Sequence, residues 1–316
     1  MAKKSVLITG ASGFVGSHLS EKFLKEGYAV LGVDNFLTGR IENLSEALKH
    51  PDFRFVEADV VKTFDFKNPF GGSFSWVLHF ACPASPIDFE ILAQEILEVD
   101  SIGTLNALNF ARDQKAAFFL ASTSEVYGDP LVHPQTEDYW GNVSSTGPRS
   151  CYDETKRFSE AAVMVYQRKY GVDARIVRIF NTYGPRMRLN DGRVVPQLCS
   201  QALRGQKLTV HGDGTQTRSF CFVSDLVEGI YRMTTIKENM PINVGNPREF
   251  SLNEFAKVIE KTVDKNLGIE YLPGRPDDPR RRCPDISKAK RLLNWEPEVP
   301  LEEGIKVTME SFRKEL

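Results

Sequence analysis

The 316-residue sequence predicts an α/β protein: a doubly wound parallel sheet with a smaller mixed α/β C-terminal lobe. Three observations predict it. Short apolar strands alternate with helical patterns through the first half. A glycine triplet joins the first strand to the first helix. After about Gly184 the composition changes, and Gly, Pro and Arg become frequent in stretches such as GPRMRLNDGR and HGDGTQTR.

Taken in order, Ser5–Thr9 (SVLIT) is a continuous apolar run of the kind a strand buried on both faces needs. Gly13–Glu26 reads as a helix, with Val15, Leu19, Phe23 and Leu24 on one face. Strands follow at Ala29–Asp34, Arg54–Asp59, Trp76–Ala81, Ala117–Ser122 and Arg175–Phe180, with helical patterns at Glu90–Arg112 and Asp153–Lys169. The second lobe has shorter strands at Leu208–His211, Ile242–Val244 and Ile269–Leu272. Its helices fall near Gln197–Arg204, Leu252–Asp264 and Ser287–Leu293. Residues 1–184, with a returning segment near 222–246, are expected to form the sheet domain, and 185–316 mainly the second lobe.

Composition excludes several functions. Net charge is −2, with 41% hydrophobic and 26% charged residues, which gives no basic surface for nucleic acid. No apolar run approaches the ~18–20 residues needed to cross a bilayer, and the N-terminus leads into a strand rather than a signal segment. Five scattered cysteines without a C-x-x-C fit reduced thiols and a cytoplasmic location. Five histidines without paired spacing point to no metal.

The first candidate site is Gly10-Ala-Ser-Gly13-Phe14-Val15-Gly16. Between strand and helix, these glycines allow a tight turn that aims helix N–H groups at a pyrophosphate, as in Rossmann-type dinucleotide sites. Asp34 ends the second strand near the spacing such sites use. Its carboxylate would accept ribose hydroxyls and repel a 2′-phosphate, so NAD is favoured over NADP; Arg40 nearby works slightly the other way. Asp59 and Val60, expected to end the third strand, could meet the adenine, or Asp59 could be a plain strand-end cap.

The second is Tyr152-Asp-Glu-Thr-Lys156. The i, i+4 spacing places phenol and ammonium on one helix face. A neighbouring ammonium and a positive nicotinamide favour phenolate, so Tyr152 could act as a base near neutral pH. Thr123, leaving a sheet strand in Ser122–Glu125, could hydrogen-bond the same substrate hydroxyl.

Together Gly10–Gly16, STSEVYG (Ser122–Gly128) and Tyr152–Lys156 resemble the extended short-chain dehydrogenase/reductase family. CPASP (Cys82–Pro86), GPRSCYDETKR (Gly147–Arg157), RIFNTYGPRM (Arg178–Met187), LTVHGDGTQTRSF (Leu208–Phe220) and the Asp277–Pro297 stretch resemble its UDP-glucuronate decarboxylase branch, over nearly the whole chain. The resemblance implies NAD as cofactor, a nucleotide-sugar substrate and a homodimer built on the Glu90–Arg112 and Asp153–Lys169 helices. Their apolar stripes include Leu105, Leu108, Phe158, Ala162 and Val165. It implies catalytic roles for Thr123, Glu125, Tyr152, Lys156 and Arg282. It also implies cofactor contacts at Asn35, Phe36, Thr38, Phe80 and Cys82, and substrate contacts at Pro83, Ser124, Asn181, Arg193, Arg218 and Arg275. Arg282 would clamp the carboxylate electrostatically and Glu125 would position the sugar or a water.

The implied reaction is redox-neutral decarboxylation of UDP-glucuronate to UDP-xylose through a 4-keto sugar. The alternatives are a dTDP-glucose 4,6-dehydratase, a nucleotide-sugar 4-epimerase, or a catalytically silent NAD-binding sensor. Dehydratases carry Thr-Asp-Glu at the strand end; here Ser124 stands in the Asp position and is a poor general acid. The chain also departs from the family pattern, with Cys82 for Ser, Glu98 and Asp100 where Lys and Asn are usual, and His211 for Tyr.

Overall fold

The computed structural model describes residues 3–62, 64–274 and 281–316. Six strands of the first half are β1 (Ser5–Thr9), β2 (Ala29–Asp34), β3 (Phe53–Glu57), β4 (Trp76–His79), β5 (Ala117–Thr123) and β6 (Ala174–Ile179). The later ones are β7 (Thr182–Tyr183), β8 (Leu208–His211), β9 (Thr217–Ser219), β10 (Cys221–Phe222), β11 (Ile242–Val244), β12 (Glu249–Ser251) and β13 (Ile269–Leu272). The main sheet has seven parallel strands in the order β11-β6-β5-β4-β1-β2-β3. The chain starts in the middle at β1, winds out to β3, then crosses to β4 and winds the other way. The point where the winding reverses, between β1 and β4, leaves a crevice at the strands' C-terminal ends.

The alternation along β1 builds both layers. Val6 and Ile8 enter one core with Leu19 and Phe23 of α1 (Phe14–Lys25), while Leu7 enters the other with Val77, Phe118 and Leu120. All three β1 residues are fully buried, as a parallel sheet covered on both faces requires.

The helix expected at Glu90–Arg112 is broken. It forms α2 (Asp88–Ile91), α3 (Ala93–Glu98), a π-helical turn at Val99–Gly103, and α4 (Thr104–Gln114). Periodicity could not reveal the π turn, because the apolar positions continue through it; the buried Asp100 marks it. The helix α5 (Ser150–Tyr170) starts three residues earlier than the apolar pattern and ends at Gly171, whose positive φ closes it.

The second lobe holds α6 (Val194–Leu203), α8 (Leu252–Val263) and α10 (Leu301–Arg313), around a core with Leu198, Phe220, Phe255, Ile305 and Phe312. Ser251 and Glu254 form a reciprocal capping box that fixes the start of α8. Between α6 and α8, α7 (Val223–Met233) and β11 return to the main sheet, where β11 pairs with β6. So does a later piece: Ala289 and Leu293 of α9 (Ser287–Leu293), with Trp295, join the core beneath α1 and α7. The indole of Trp295 donates to the Asp225 carbonyl at 2.9 Å. Main-sheet packing therefore recruits residues well past 246.

Candidate active site

A cavity of about 340 Å³ opens at the sheet's winding reversal and runs into the second lobe. Its wall is built first by glycine. Gly10 follows β1 with φ +69°, and a Cβ there would lie 2.6 Å from the Phe80 carbonyl oxygen beyond β4. A Cβ on Gly16 would lie 2.0 Å from the Gly10 carbonyl oxygen. Only glycine lets these backbones approach so closely. The first turn of α1 carries no acidic residue, and Gly13 offers no side-chain cap. The turn's N–H groups are thus open to an anion, with the helix dipole favouring it.

Asp34 is buried beside this loop. Its carboxylate accepts from the Ser12 and Phe36 N–H groups, each at 2.9 Å, so it organises the loop as well as offering acceptors. Arg40 is held by Glu315 through both terminal nitrogens, at 2.6 and 3.1 Å. That pairing neutralises the cation that could have welcomed a 2′-phosphate. Glycine cradle, uncapped helix start and acid at the end of β2 fit a dinucleotide such as NAD.

Deeper in the cavity, Thr123 ends β5 and Tyr152 and Lys156 come from the first turns of α5. Thr123 hydrogen-bonds the Tyr152 phenol and also accepts from the Glu125 N–H at 3.2 Å. Phe89 stacks on the Tyr152 ring, with centroids 4.7 Å apart. The sequence reading expects Lys156 and a positive nicotinamide together to favour the Tyr152 phenolate. Lys156 does pull in that direction, but burial outweighs it and holds the phenol above its ordinary value, with the Cys82 and Asp100 groups adding to the burial effect. The Lys156 ammonium is itself 2.8 Å from Asp100 Oδ1 and 3.2 Å from the Ala121 carbonyl oxygen. Burial disfavours its charge, but Asp100 more than compensates and its pKa is raised.

Across the cavity, Arg282 and Arg149 both donate to the Glu125 carboxylate. Burial pushes that carboxyl up, and the two guanidiniums, Arg282 first, bring it below its usual range. Arg282 is 5% exposed, so burial lowers its own pKa. Asp153 is raised to about 7 by burial and then by Glu125. Glu125 is therefore occupied by two cations, not free to grip a sugar alone. Arg149 was missed by sequence reasoning, although its place at the N-cap of α5, three residues before Tyr152, was a usable signal. Phe89 gave none.

Other expected residues divide. Phe14, Val15, Thr38, Phe80, Cys82, Ser124, Asn181, Arg193 and Arg218 line the cavity with the three glycines, Thr123, Glu125, Tyr152, Lys156 and Arg282. Arg193 is held by the buried Asp191, its Nε donating at 2.8 Å. Asp34, which lies behind the glycine loop, and Asn35, Phe36, Asp59, Val60 and Pro83 are not in its wall. The strand β3 ends at Glu57 rather than Asp59; Asp59 caps the Val61 N–H at 3.0 Å, and Val60 packs in the core. Phe36, at φ +59°, packs its ring on Phe55, 5.2 Å between centroids. Arg275 lies outside the described residues. Among the described residues one donor cluster could hold a metal ion: His133, Glu249 and Cys283, within 4.8 Å. These residues are far apart in sequence, so spacing could not show them. Their donors already have partners: His133 Nε2 is 2.9 Å from Glu249, and the Cys283 thiol donates to the Pro247 carbonyl at 3.2 Å.

A doubly wound sheet with a glycine cradle at its reversal, and a Thr–Tyr–Lys group beyond it, defines the extended short-chain dehydrogenase/reductase class. Residues 7–308 match the family described as GDP-mannose 4,6 dehydratase, and the chain belongs to that family. It is 50% identical to UDP-glucuronic acid decarboxylase 2 of Arabidopsis thaliana over 309 residues, covering 98% of this chain and 68% of that protein. It is 49% identical to UDP-glucuronic acid decarboxylase 1 of Xenopus tropicalis, over 99% of this chain and 73% of that protein. Among solved structures it is similar to a UDP-glucuronic acid 4-epimerase from Bacillus cereus in complex with UDP-glucuronic acid and NAD. The TM-score there is 0.87 and the identity 29%, covering 99% of this chain and all of that one.

Proposed function

We propose that this chain is an NAD-dependent UDP-glucuronate decarboxylase that forms UDP-xylose through a 4-keto sugar. The observation that carries the reading is the roughly 50% identity, over 98% of the chain, to proteins named for that reaction. The cavity chemistry agrees with it. Bound NAD would supply a hydride acceptor at C4 and return the hydride at the end, leaving no net redox change. The start of α1 would hold its pyrophosphate and Asp34 its adenosine ribose.

Tyr152 takes the proton of the C4 hydroxyl, with Thr123 hydrogen-bonded to the phenol and Lys156 favouring the anion. The positive nicotinamide of a bound NAD would act in the same direction as Lys156. Once C4 is a carbonyl, the C6 carboxylate is β to it. The C5–C6 bond breaks, CO₂ leaves, and the electron pair becomes an enolate on the C4 oxygen. C5 is then reprotonated. No acid is needed to expel hydroxide, which suits Ser124 in place of an Asp. Arg282, held in place by Glu125, is an electrostatic anchor for the substrate carboxylate. Arg218, Arg193 and Asn181 suit the diphosphate.

Residues 1–184, with the returning 222–246, serve the cofactor and 185–316 mainly the nucleotide sugar. Leu97, Ile102, Phe158 and Val165 leave an exposed apolar face on α3, the π turn and α5, which supports a homodimer; Leu108 and Ala162 of the expected stripe are instead buried in the chain's own core. Among the described residues no helix is long and apolar enough to cross a membrane, and all five cysteines are free, which supports a cytoplasmic location.

The similarity to a UDP-glucuronic acid 4-epimerase supports one second reading, on the same sugar. Incubating the purified protein with UDP-glucuronate and NAD separates the two. Release of one CO₂ per nucleotide sugar is expected. An isomeric product of unchanged mass would overturn the decarboxylase reading in favour of the epimerase.

A further inference from the structure

Asp100 is fully buried in the wall behind Tyr152 and Lys156. A buried carboxylate persists as an ion only when it is paired and hydrogen-bonded. Here every partner is identifiable. Lys156 Nζ donates to Oδ1 at 2.8 Å. The Thr155 hydroxyl and the Cys82 thiol donate to Oδ2 at 3.2 and 3.3 Å. The π turn at Val99–Gly103 carries Asp100, and the Ser159 hydroxyl secures it by donating to the Asp100 carbonyl at 2.6 Å. Such turns re-aim one residue within a helical run.

The consequence is electrostatic. Lys156 Nζ lies 5.6 Å from the centre of the Tyr152 ring. An ammonium at that range favours phenolate, but a carboxylate bonded to the same ammonium largely offsets its field. The other titratable groups facing the pair do not supply a replacement cation. His79 on β4 is pushed down to about 3 by burial and then by Lys156, so it is neutral. The Cys82 thiol is held protonated, by burial first and then Asp100.

We infer that Asp100 is a positioning residue that pins the Lys156 ammonium and offsets its field at Tyr152, so that it sets the pH range over which the phenol serves as base. The inference rests on the reading of Tyr152 as the base. It deepens that reading by assigning a role to a carboxylate where the family pattern has a neutral amide.

The test is Asp100→Asn, which keeps shape and removes charge. In the NAD-bound protein, the phenolate absorbance of Tyr152 is titrated as the difference from Tyr152→Phe. The asparagine variant is expected to ionise about one to two pH units lower, as a unit charge at this range in a partly screened site implies. The acidic limb of the kcat–pH profile on UDP-glucuronate shifts by the same amount. Asp100→Glu, which retains the charge, is expected to keep the parent profile. If the asparagine variant does not fold, Asp100→Ser is measured in its place with the same expected shift. An unshifted phenolate titration in a folded neutral variant overturns the inference. Because that titration needs no substrate, it can fail or succeed independently of the decarboxylase reading.

Discussion

Replacing Glu125 with Gln probes the arginine cluster most sharply. In the parent protein one carboxylate serves Arg282 and Arg149, and Arg218 also contributes to its electrostatic environment. Arg282 and Glu125 side chains are only 6% and 12% exposed. Removing one partner of a buried pair typically costs about 3–5 kcal/mol, because the other charge is left uncompensated. Two features reduce the cost here. The glutamine carbonyl still accepts from one guanidinium, which retains about 1 kcal/mol. Asp153, held up near 7 by burial and then by Glu125, ionises more readily once that negative charge is gone, and it lies 3.8 Å from Arg149 Nε. The net expectation is a loss of about 2–3 kcal/mol, or roughly 3–5 °C in Tm for a chain of this size. Thermal and urea denaturation would read it. Saturating UDP-glucuronate should recover more stability in the variant than in the parent, since its carboxylate can take the vacated place. A variant within about 0.5 kcal/mol of the parent, with no extra recovery, refutes the idea that Glu125 holds the cluster together.

Two further outcomes follow from the cofactor side and the core. Gly16→Ala forces a Cβ to within 2.0 Å of the Gly10 carbonyl oxygen, so the loop must shift; NAD affinity measured by calorimetry should fall at least about tenfold, and unchanged affinity would remove the cradle from the account. Burial, followed by the Arg186 charge for His18 and the Lys156 charge for His79, lowers these histidines to about 4 and about 3. Their folded pKa values lie below the unfolded one, so their contribution is intact above about 6.5 and is lost as pH falls toward the folded values. Each should lower unfolding free energy by up to about 1.4 kcal/mol per pH unit in that window. Urea titrations at pH 7, 6 and 5 should show a flatter dependence in His79→Gln; an identical slope contradicts a buried neutral His79.

Much of the fold was readable because strands buried on both faces leave uninterrupted apolar runs. Ser5–Thr9 and Ala29–Asp34 coincide with their strands to the residue. The glycine loop was readable for a steric reason, since its close backbone approaches admit no side chain. The site was readable where its residues are neighbours in sequence, as with Tyr152 and Lys156. It was not readable where partners meet only through the fold. Asp100 stands out in the sequence as an acid where Asn is usual, yet its capture of Lys156 depends on a π turn that leaves no periodic trace. For Glu125, expected to position the sugar or a water, nothing local reveals that Arg282, 157 positions away, pairs with it. The third strand's end was misjudged for a related reason: Asp59-Val60 continues the polar–apolar alternation after hydrogen bonding to β2 has stopped.

The central claim is that the Tyr152 phenol moves the proton that begins turnover. Purified Tyr152→Phe protein, assayed for CO₂ release from UDP-glucuronate alongside NAD binding, tests it most directly. The account predicts a fall in kcat of at least about a hundredfold with NAD affinity nearly unchanged. Full CO₂ release from the phenylalanine variant would contradict it.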